Sequence, residues 1–168
     1  MQLLFIRHAI AVDRDAFAET GKDDDLRPLT ADGRRKMRKI AKALQHMLGC
    51  PERLVTSPLT RAEQTAEILA DVYGMKISET LDALRPGSRV TLFAPWASEQ
   101  PVDATIAIVG HEPNLSKLVS WLMTGDTESH VALKKGGACL LSFGGAPHRG
   151  GAMLEWLLTP AQLRQMGD

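Results

Sequence analysis

The chain has 168 residues, and its 20 Lys and Arg balance 20 Asp and Glu to a formal net charge of zero. Its 44% hydrophobic and 24% charged residues describe a globular chain with enough apolar content for one core, which excludes a disordered or collagen-like polymer. Zero net charge supplies no overall field toward nucleic acid or an anionic membrane, and no apolar run reaches the roughly 20 residues of a membrane span.

The amino terminus opens apolar, but no basic leader precedes that run and Arg7 and His8 interrupt it, so no signal peptide is expected. Cys139 sits in an apolar run and reads as a core residue, while Cys50 follows a helix end. Two such cysteines form no spaced framework. A disulfide between them is the weaker reading, and a reduced, cytoplasmic protein is expected. No repeat, linker or low-complexity segment divides the chain, so residues 1–168 are read as a single domain.

In chain order, Gln2–Ile6 is an apolar run of strand length. The segment from Ala11 to Arg27 is charged and without clean period, which predicts a long loop over one end of a sheet. Met37, Ile40, Ala41, Leu44, Met47 and Leu48 then fall at helical spacing, predicting a helix over 29–48 with Thr30 as N-cap and Gly49 as its stop. Arg53–Thr56 is a second strand, after which Ser57 and Pro58 read as the N-cap and first residue of a helix. Leu59, Ala62, Ala66, Leu69 and Tyr73 line one face of that helix up to Gly74. A third strand, Ala104–Val109, leads into a helix with Pro113 near its start, a buried face of Leu115, Leu118, Val119 and Leu122, and Gly125 at its end. Ala138–Phe143 and Met153–Leu158 are two more strands around a glycine-rich turn, short enough to pair antiparallel. Strands alternating with helices predict an α/β three-layer sandwich with a central, mostly parallel, mixed sheet flanked by helices.

In such a sheet, ligands bind beyond the carboxyl ends of the strands. There the first strand delivers Arg7 and His8, the second delivers Ser57 to Arg61, and the third delivers Gly110, His111 and Glu112. Each alone is ordinary: a surface Arg-His pair, a solvated helix arginine, a histidine in a turn. Together, two arginines and two histidines at one rim, with no acidic residue embedded between them, suit an oxyanion of charge near −2. A neutral imidazole attacks phosphorus in line to give a phosphohistidine, two guanidiniums hold the equatorial oxygens, and a second, protonated imidazole adds charge. This chemistry needs no metal and no cofactor. A metal site built from His8 and His111 is the competing use, disfavoured by the flanking arginines and the lack of a ligand-spacing signature. No Gly-x-x-x-x-Gly-Lys-Ser/Thr loop is present for nucleotide hydrolysis of that type.

Leu4-Phe5-Ile6-Arg7-His8-Ala9, Ser57-Pro58-Leu59-Thr60-Arg61-Ala62-Glu63-Gln64-Thr65-Ala66 and Val109-Gly110-His111-Glu112 resemble the three core motifs of the histidine phosphatase superfamily. Length, motif order, Asp25-Leu26-Arg27-Pro28-Leu29-Thr30 and the closing Trp156-Leu157-Leu158-Thr159-Pro160 resemble its compact SixA-type phosphohistidine phosphatase branch. The resemblance implies a histidine-phosphatase-like fold, His8 as the phosphorylated nucleophile, Arg7 and Arg61 as phosphate ligands, His111 as the second pocket histidine, and Arg27 facing the substrate groove. Ala9 departs from the glycine frequent in the first motif.

Mutase-like and broad phosphatase branches often carry a glutamate as general acid where Ala83 stands in Leu81-Asp82-Ala83-Leu84. Asp82, Glu79, Glu112, Asp24 and Asp25 are the other candidate acids. The missing glutamate favours a leaving group that needs little help, such as the imidazole of phosphohistidine. The expected partner is therefore a phosphohistidine-bearing protein of a phosphorelay or phosphotransferase system, with no nucleic acid and no membrane. Small phosphorylated molecules are the alternative substrates, and a catalytically silent phosphate-binding module is the alternative from another class. The silent module would need one of the four pocket groups to be missing, and all four are present. The basic run 34–42 lacks interleaved aromatics and reads as the solvated face of the first long helix. Lys134-Lys135-Gly136-Gly137 has two readings, a contact to a substrate carboxylate or phosphate and a strand-entry turn, the second being the simpler.

Overall fold

The computed structural model describes residues 1–167. In chain order the regular elements are β1 (Gln2–Arg7), α1 (Arg14–Ala18), α2 (Ala31–Leu48), β2 (Arg53–Thr56), α3 (Thr60–Tyr73), β3 (Glu79–Thr80), α4 (Phe93–Ser98), β4 (Thr105–Gly110), α5 (Asn114–Thr124), β5 (Ala138–Ser142), β6 (Met153–Leu158) and α6 (Pro160–Met166). Single 3-10 turns lie at Asp24–Leu26, Asp82–Leu84 and Val90–Leu92. The strands form one sheet in the order β3-β2-β4-β1-β5-β6. Strands β1, β4, β2 and β3 pair in parallel, while β5 is antiparallel to both β1 and β6. This is the expected mixed, mostly parallel sheet between helical layers.

Both faces of the sheet are covered, which is why its central strands read as unbroken apolar runs. From β1, Leu4 and Ile6 pack with Met37, Ile40 and Leu44 of α2 and Ala62, Ala66 and Leu69 of α3. The alternate residues Leu3 and Phe5 pack on the other side with Phe93 of α4 and Leu115, Leu118 and Val119 of α5. Cys139 lies in that second layer, and both cysteines are free thiols. The basic residues of α2 point outward as expected, with Lys36 paired to Asp32 at 2.7 Å.

Two helix starts bear on the site. Thr30 caps α2, accepting from the Gly33 N–H at 2.9 Å, and Gly49 closes it at φ 73°. The Ile10 carbonyl docks on this end, accepting from the Thr30 N–H at 3.0 Å, and a Cβ at Gly33 would stand 2.1 Å from that oxygen. The chain leaving β1 is thereby tied to α2. The second start differs from expectation. Ser57 and Pro58 do not begin α3, because Leu59 is still extended (φ −77°, ψ 136°) and the first helical residue is Thr60. The predicted loop over 11–27 also contains more structure than its sequence suggested: α1, capped by Asp13, and the 3-10 turn at Asp24–Leu26, capped by Asp23. Neither piece buries a side chain fully, so neither leaves an apolar period to read. Among the described residues no helix is long and apolar enough to cross a membrane.

Candidate active site

The parallel register sets Arg7 of β1 beside Gly110 of β4 and Thr56 of β2 beside Val109. The next residue on each chain therefore emerges at one rim. His8 N–H donates to the Gly110 carbonyl and Ser57 N–H to the Val109 carbonyl, each at 3.0 Å. The rings of His8 and His111 stand 5.1 Å apart, centroid to centroid. They line a cleft of about 260 Å³ together with Arg7, Arg27, Arg61, Arg14, Lys135, Val12, Asp13, Pro86 and Glu112. All five residues expected at the site are brought together.

His8 is locked in one tautomer. Its Nδ1 lies 2.7 Å from the Ala9 carbonyl, which only accepts, so Nδ1 carries the proton and Nε2 keeps its lone pair. Ala9 N–H donates to Thr65 Oγ1 at 3.0 Å, and that hydroxyl donates to the Arg61 carbonyl at 2.7 Å. Thr65 thus couples the His8 loop to the first turn of α3, which carries Arg61. The methyl of Ala9 is buried without disturbing this link.

His111 is oriented by Ser57. Leu59 N–H reaches the Ser57 hydroxyl oxygen at 3.4 Å, and that hydroxyl lies 2.8 Å from His111 Nε2. We assign the Ser57 hydroxyl as donor to Nε2, which places the His111 proton on Nδ1, a buried nitrogen with no protein partner. Burial, then the neighbouring His8, Arg61 and Arg7, pushes His111 down to about 2. Burial likewise lowers His8 to about 3, opposed by its Ala9 bond and reinforced by Arg61 and Arg7. Both rings are neutral near pH 7. His8 offers a lone pair and His111 an N–H.

These depressed values have a stability consequence with a definite sign. A histidine with a folded pKa below its unfolded value of about 6.5 supports the fold fully above that pH, and its support is lost as pH falls through the folded value. In a buffer free of phosphate, urea denaturation is expected to show stability level from pH 8 to 7. Below pH 6.5 it falls by about 1.4 kcal/mol per pH unit for each histidine. His8→Ala and His111→Ala each remove half of this slope between pH 6.5 and 5. An unchanged slope in both variants would show that other groups set it.

The arginines are fixed by backbone carbonyls and one carboxylate. Arg7 NH1 donates to the Leu133 carbonyl at 2.8 Å, and Arg61 NH1 to the Asp24 carbonyl at 2.9 Å. Arg27 is buried, with Nε on Asp24 Oδ1 at 2.7 Å and NH1 on the Val12 carbonyl at 2.9 Å. The Nε groups of Arg7 and Arg61 are buried without a protein partner. Burial lowers both guanidinium pKa values, but arginine starts so high that the charge survives. Three orphaned buried nitrogens on residues that line one cleft are unusual, and an anion there satisfies them. Five cationic side chains line the cleft against the two carboxylates of Asp13 and Glu112, so the locally positive field is strong in a chain of zero net charge.

The candidate acids are all engaged by other donors. Asp82 and Asp25 pair with Arg85 at 2.8 Å each, and Glu79 pairs with Arg53 at the start of β2, away from the cleft. Glu112 accepts from the Ser116 N–H at 3.1 Å and from its hydroxyl, capping α5. Asp13 caps α1. Asp24 pairs with Arg27 and Arg61, so a carboxylate stands behind two of the cleft arginines in addition to Asp13 and Glu112 of the lining. Ala83 packs on the core, and the following turn presents Pro86 to the cleft. Ser57 carries the sequence signals of a helix cap and Thr65 carries none, while both readings of Lys135 hold, since it lies in a turn and lines the cleft. The signal for Ser57 was its place at the same strand end as His111. Lys135 reaches the cleft because β5 runs antiparallel to β1, which brings its amino end to this rim.

Comparison with known proteins agrees with this geometry. Residues 3–86 match the histidine phosphatase superfamily (branch 1). An uncharacterized protein of Picosynechococcus sp. is 38% identical over 148 residues, 87% of each chain. The phosphohistidine phosphatase SixA of Escherichia coli K12 is 28% identical over 167 residues, covering 98% of this chain and 97% of that one. Among solved structures, the protein histidine phosphatase SixA complexed with tungstate superposes with a TM-score of 0.82 at 26% identity, over 97% of this chain and 99% of the other. With its two rim histidines and their arginines on a sheet of this topology, the chain belongs to the histidine phosphatase superfamily, branch 1, and is of the SixA type.

Proposed function

We propose that this chain is a phosphohistidine phosphatase that works without a metal, through a phosphoryl group carried on His8, and that its substrate is phosphohistidine on a phosphorelay or phosphotransferase protein. Phosphatase chemistry follows from the family; the substrate and the residue roles are inferred from the cleft. The observation that carries the reading is a neutral His8, its Nε2 lone pair unengaged, in a cationic cleft whose carboxyls are all committed to other donors.

In the first step His8 Nε2 attacks phosphorus and the bond to the substrate imidazole breaks. The phosphoimidazole enters with its other ring nitrogen protonated, so it departs as neutral imidazole and needs no carboxylic acid. Arg7, Arg27, Arg61 and the His111 N–H hold the phosphoryl oxygens as charge redistributes. In the second step water attacks the phosphoryl group on His8, the N–P bond breaks, and inorganic phosphate leaves with His8 neutral again. Tungstate, bound by a structural relative, is a tetrahedral dianion of phosphate's shape. The cleft, at about 260 Å³, lies below the roughly 300–1,000 Å³ of sites that enclose a whole small ligand. It suits a phosphoryl group on a side chain presented from outside.

A phosphomonoester gives a poorer leaving group and has no acid here to help it. We expect kcat/KM for a histidine-phosphorylated protein to exceed that for the alkyl esters phosphoserine and 3-phosphoglycerate by about 100-fold or more, the scale of general-acid assistance. Faster turnover of either of these esters would overturn the substrate assignment and favour the small-molecule reading.

A further inference from the structure

We propose that Asp24 is a positioning residue for the phosphoryl-binding arginines, acting by the hydrogen bonds it accepts rather than by its charge. This rests on the reading that Arg27 and Arg61 hold the transferred phosphoryl group. The run Asp23–Asp25 looks like an undifferentiated acidic patch in sequence, yet its three carboxylates do three separate things. Asp23 caps the 3-10 turn by accepting from the Asp25 N–H at 3.0 Å. Asp25 anchors the turn to Arg85 at 2.8 Å. Asp24, between them, turns inward.

From that fixed turn one residue sets the planes of two guanidiniums. Asp24 Oδ1 accepts from Arg27 Nε at 2.7 Å, Oδ2 lies 3.4 Å from Arg61 NH2, and the Asp24 carbonyl accepts from Arg61 NH1 at 2.9 Å. Arg14 Nε stands 3.9 Å from the same carboxylate. With Nε on Asp24 and NH1 on Val12, Arg27 has its third nitrogen, NH2, left for a ligand in the cleft it lines. With NH1 bonded to the Asp24 carbonyl and NH2 beside its carboxylate, Arg61 keeps Nε, which has no protein partner, and the outer N–H of each terminal nitrogen. A guanidinium is a planar fork, so fixing two of its nitrogens fixes the direction of the remaining N–H. Two such forks clamped by one residue are held in a set mutual angle before the phosphoryl group arrives, which is the preorganisation that transition-state stabilisation needs.

A simple counter-charge makes the opposite prediction. The Asp24 side chain is 41% exposed, and a carboxylate beside an anion site opposes the anion. If charge were its main effect, removing Asp24 would tighten phosphate binding. If positioning is its effect, removal weakens binding even though a negative charge has gone.

The test uses the whole protein with inorganic phosphate as probe, binding measured by calorimetry and turnover on a histidine-phosphorylated protein. Asp24→Ala removes the hydrogen bond from Arg27 Nε and the ion pair to Arg61 NH2 but keeps the backbone carbonyl that holds Arg61 NH1, and it is expected to weaken phosphate binding about 10-fold and lower kcat/KM by 10- to 100-fold. Asp24→Asn keeps an oxygen for Arg27 Nε and is expected to recover to within about 3-fold of wild type in both. In an Arg27→Ala background, Asp24→Ala should cost several-fold less than it does alone, since its main partner is gone. Thermal melts establish that each variant is folded, and Asp24→Ser replaces Asp24→Ala if that variant is not. Tighter or unchanged phosphate binding in Asp24→Ala, equal loss in Asp24→Asn, or full additivity with Arg27→Ala would each overturn the proposal. Absence of turnover in the wild type would instead count against the functional reading on which it rests.

Discussion

His8→Ala is expected to lower kcat on a histidine-phosphorylated protein by on the order of 10⁴ or more, while leaving the protein folded at neutral pH. The size follows from the role: no other uncommitted lone pair faces phosphorus, since His111 Nε2 is held by Ser57 and the remaining lining groups are cations, backbone or committed carboxylates. The structural cost is small by comparison. The ring gives up one hydrogen bond, to the Ala9 carbonyl, and with it a buried group that resists protonation. Steady-state kinetics and thermal melts check both halves. A variant that is folded and retains more than about a hundredth of wild-type kcat would remove His8 from the mechanism.

The second large effect is expected at Arg61. Arg61→Ala should lower kcat/KM by about 10³-fold, the scale for losing a preorganised charged donor at a developing anion. Arg61→Lys should recover less than about 10-fold of this, because an ammonium cannot hold both Asp24 and a phosphoryl oxygen in one plane. Stability should change little. Removing the guanidinium forfeits its bonds to Asp24 but also relieves the cost of keeping a desolvated cation. Kinetics alongside urea titrations separate these terms. A lysine variant near wild-type activity would mean that point charge alone suffices there.

The parts of the site legible in sequence were those set by strand ends. Strands buried on both faces read as apolar runs, so the ends of β1, β2 and β4 could be placed, and with them Arg7, His8, Arg61 and His111. Features that depend on three-dimensional approach were not legible. Ser57 followed by Pro58 carries the same signals as a helix start, and only the extended Leu59 shows that the hydroxyl serves His111 instead. The protonation of His111 depends on a balance that sequence does not display: burial and the adjacent cations lower its pKa, and an anion in the cleft opposes them. Asp24 was unreadable since its partners lie three and 37 residues away and meet only through a 3-10 turn. The start of helix α6 is legible in sequence, where Thr159 and Gln162 form a capping box around Pro160.

The central claim is that the phosphoryl group passes through His8 Nε2. Rapid acid-free quenching during turnover of a radiolabelled histidine-phosphorylated protein, followed by mass-spectrometric mapping, tests it most directly. The account predicts an acid-labile, base-stable phosphoryl group on His8, accumulating to at most one per chain and missing in His8→Ala. A label on any other residue, or phosphate release in a burst by His8→Ala, would contradict it.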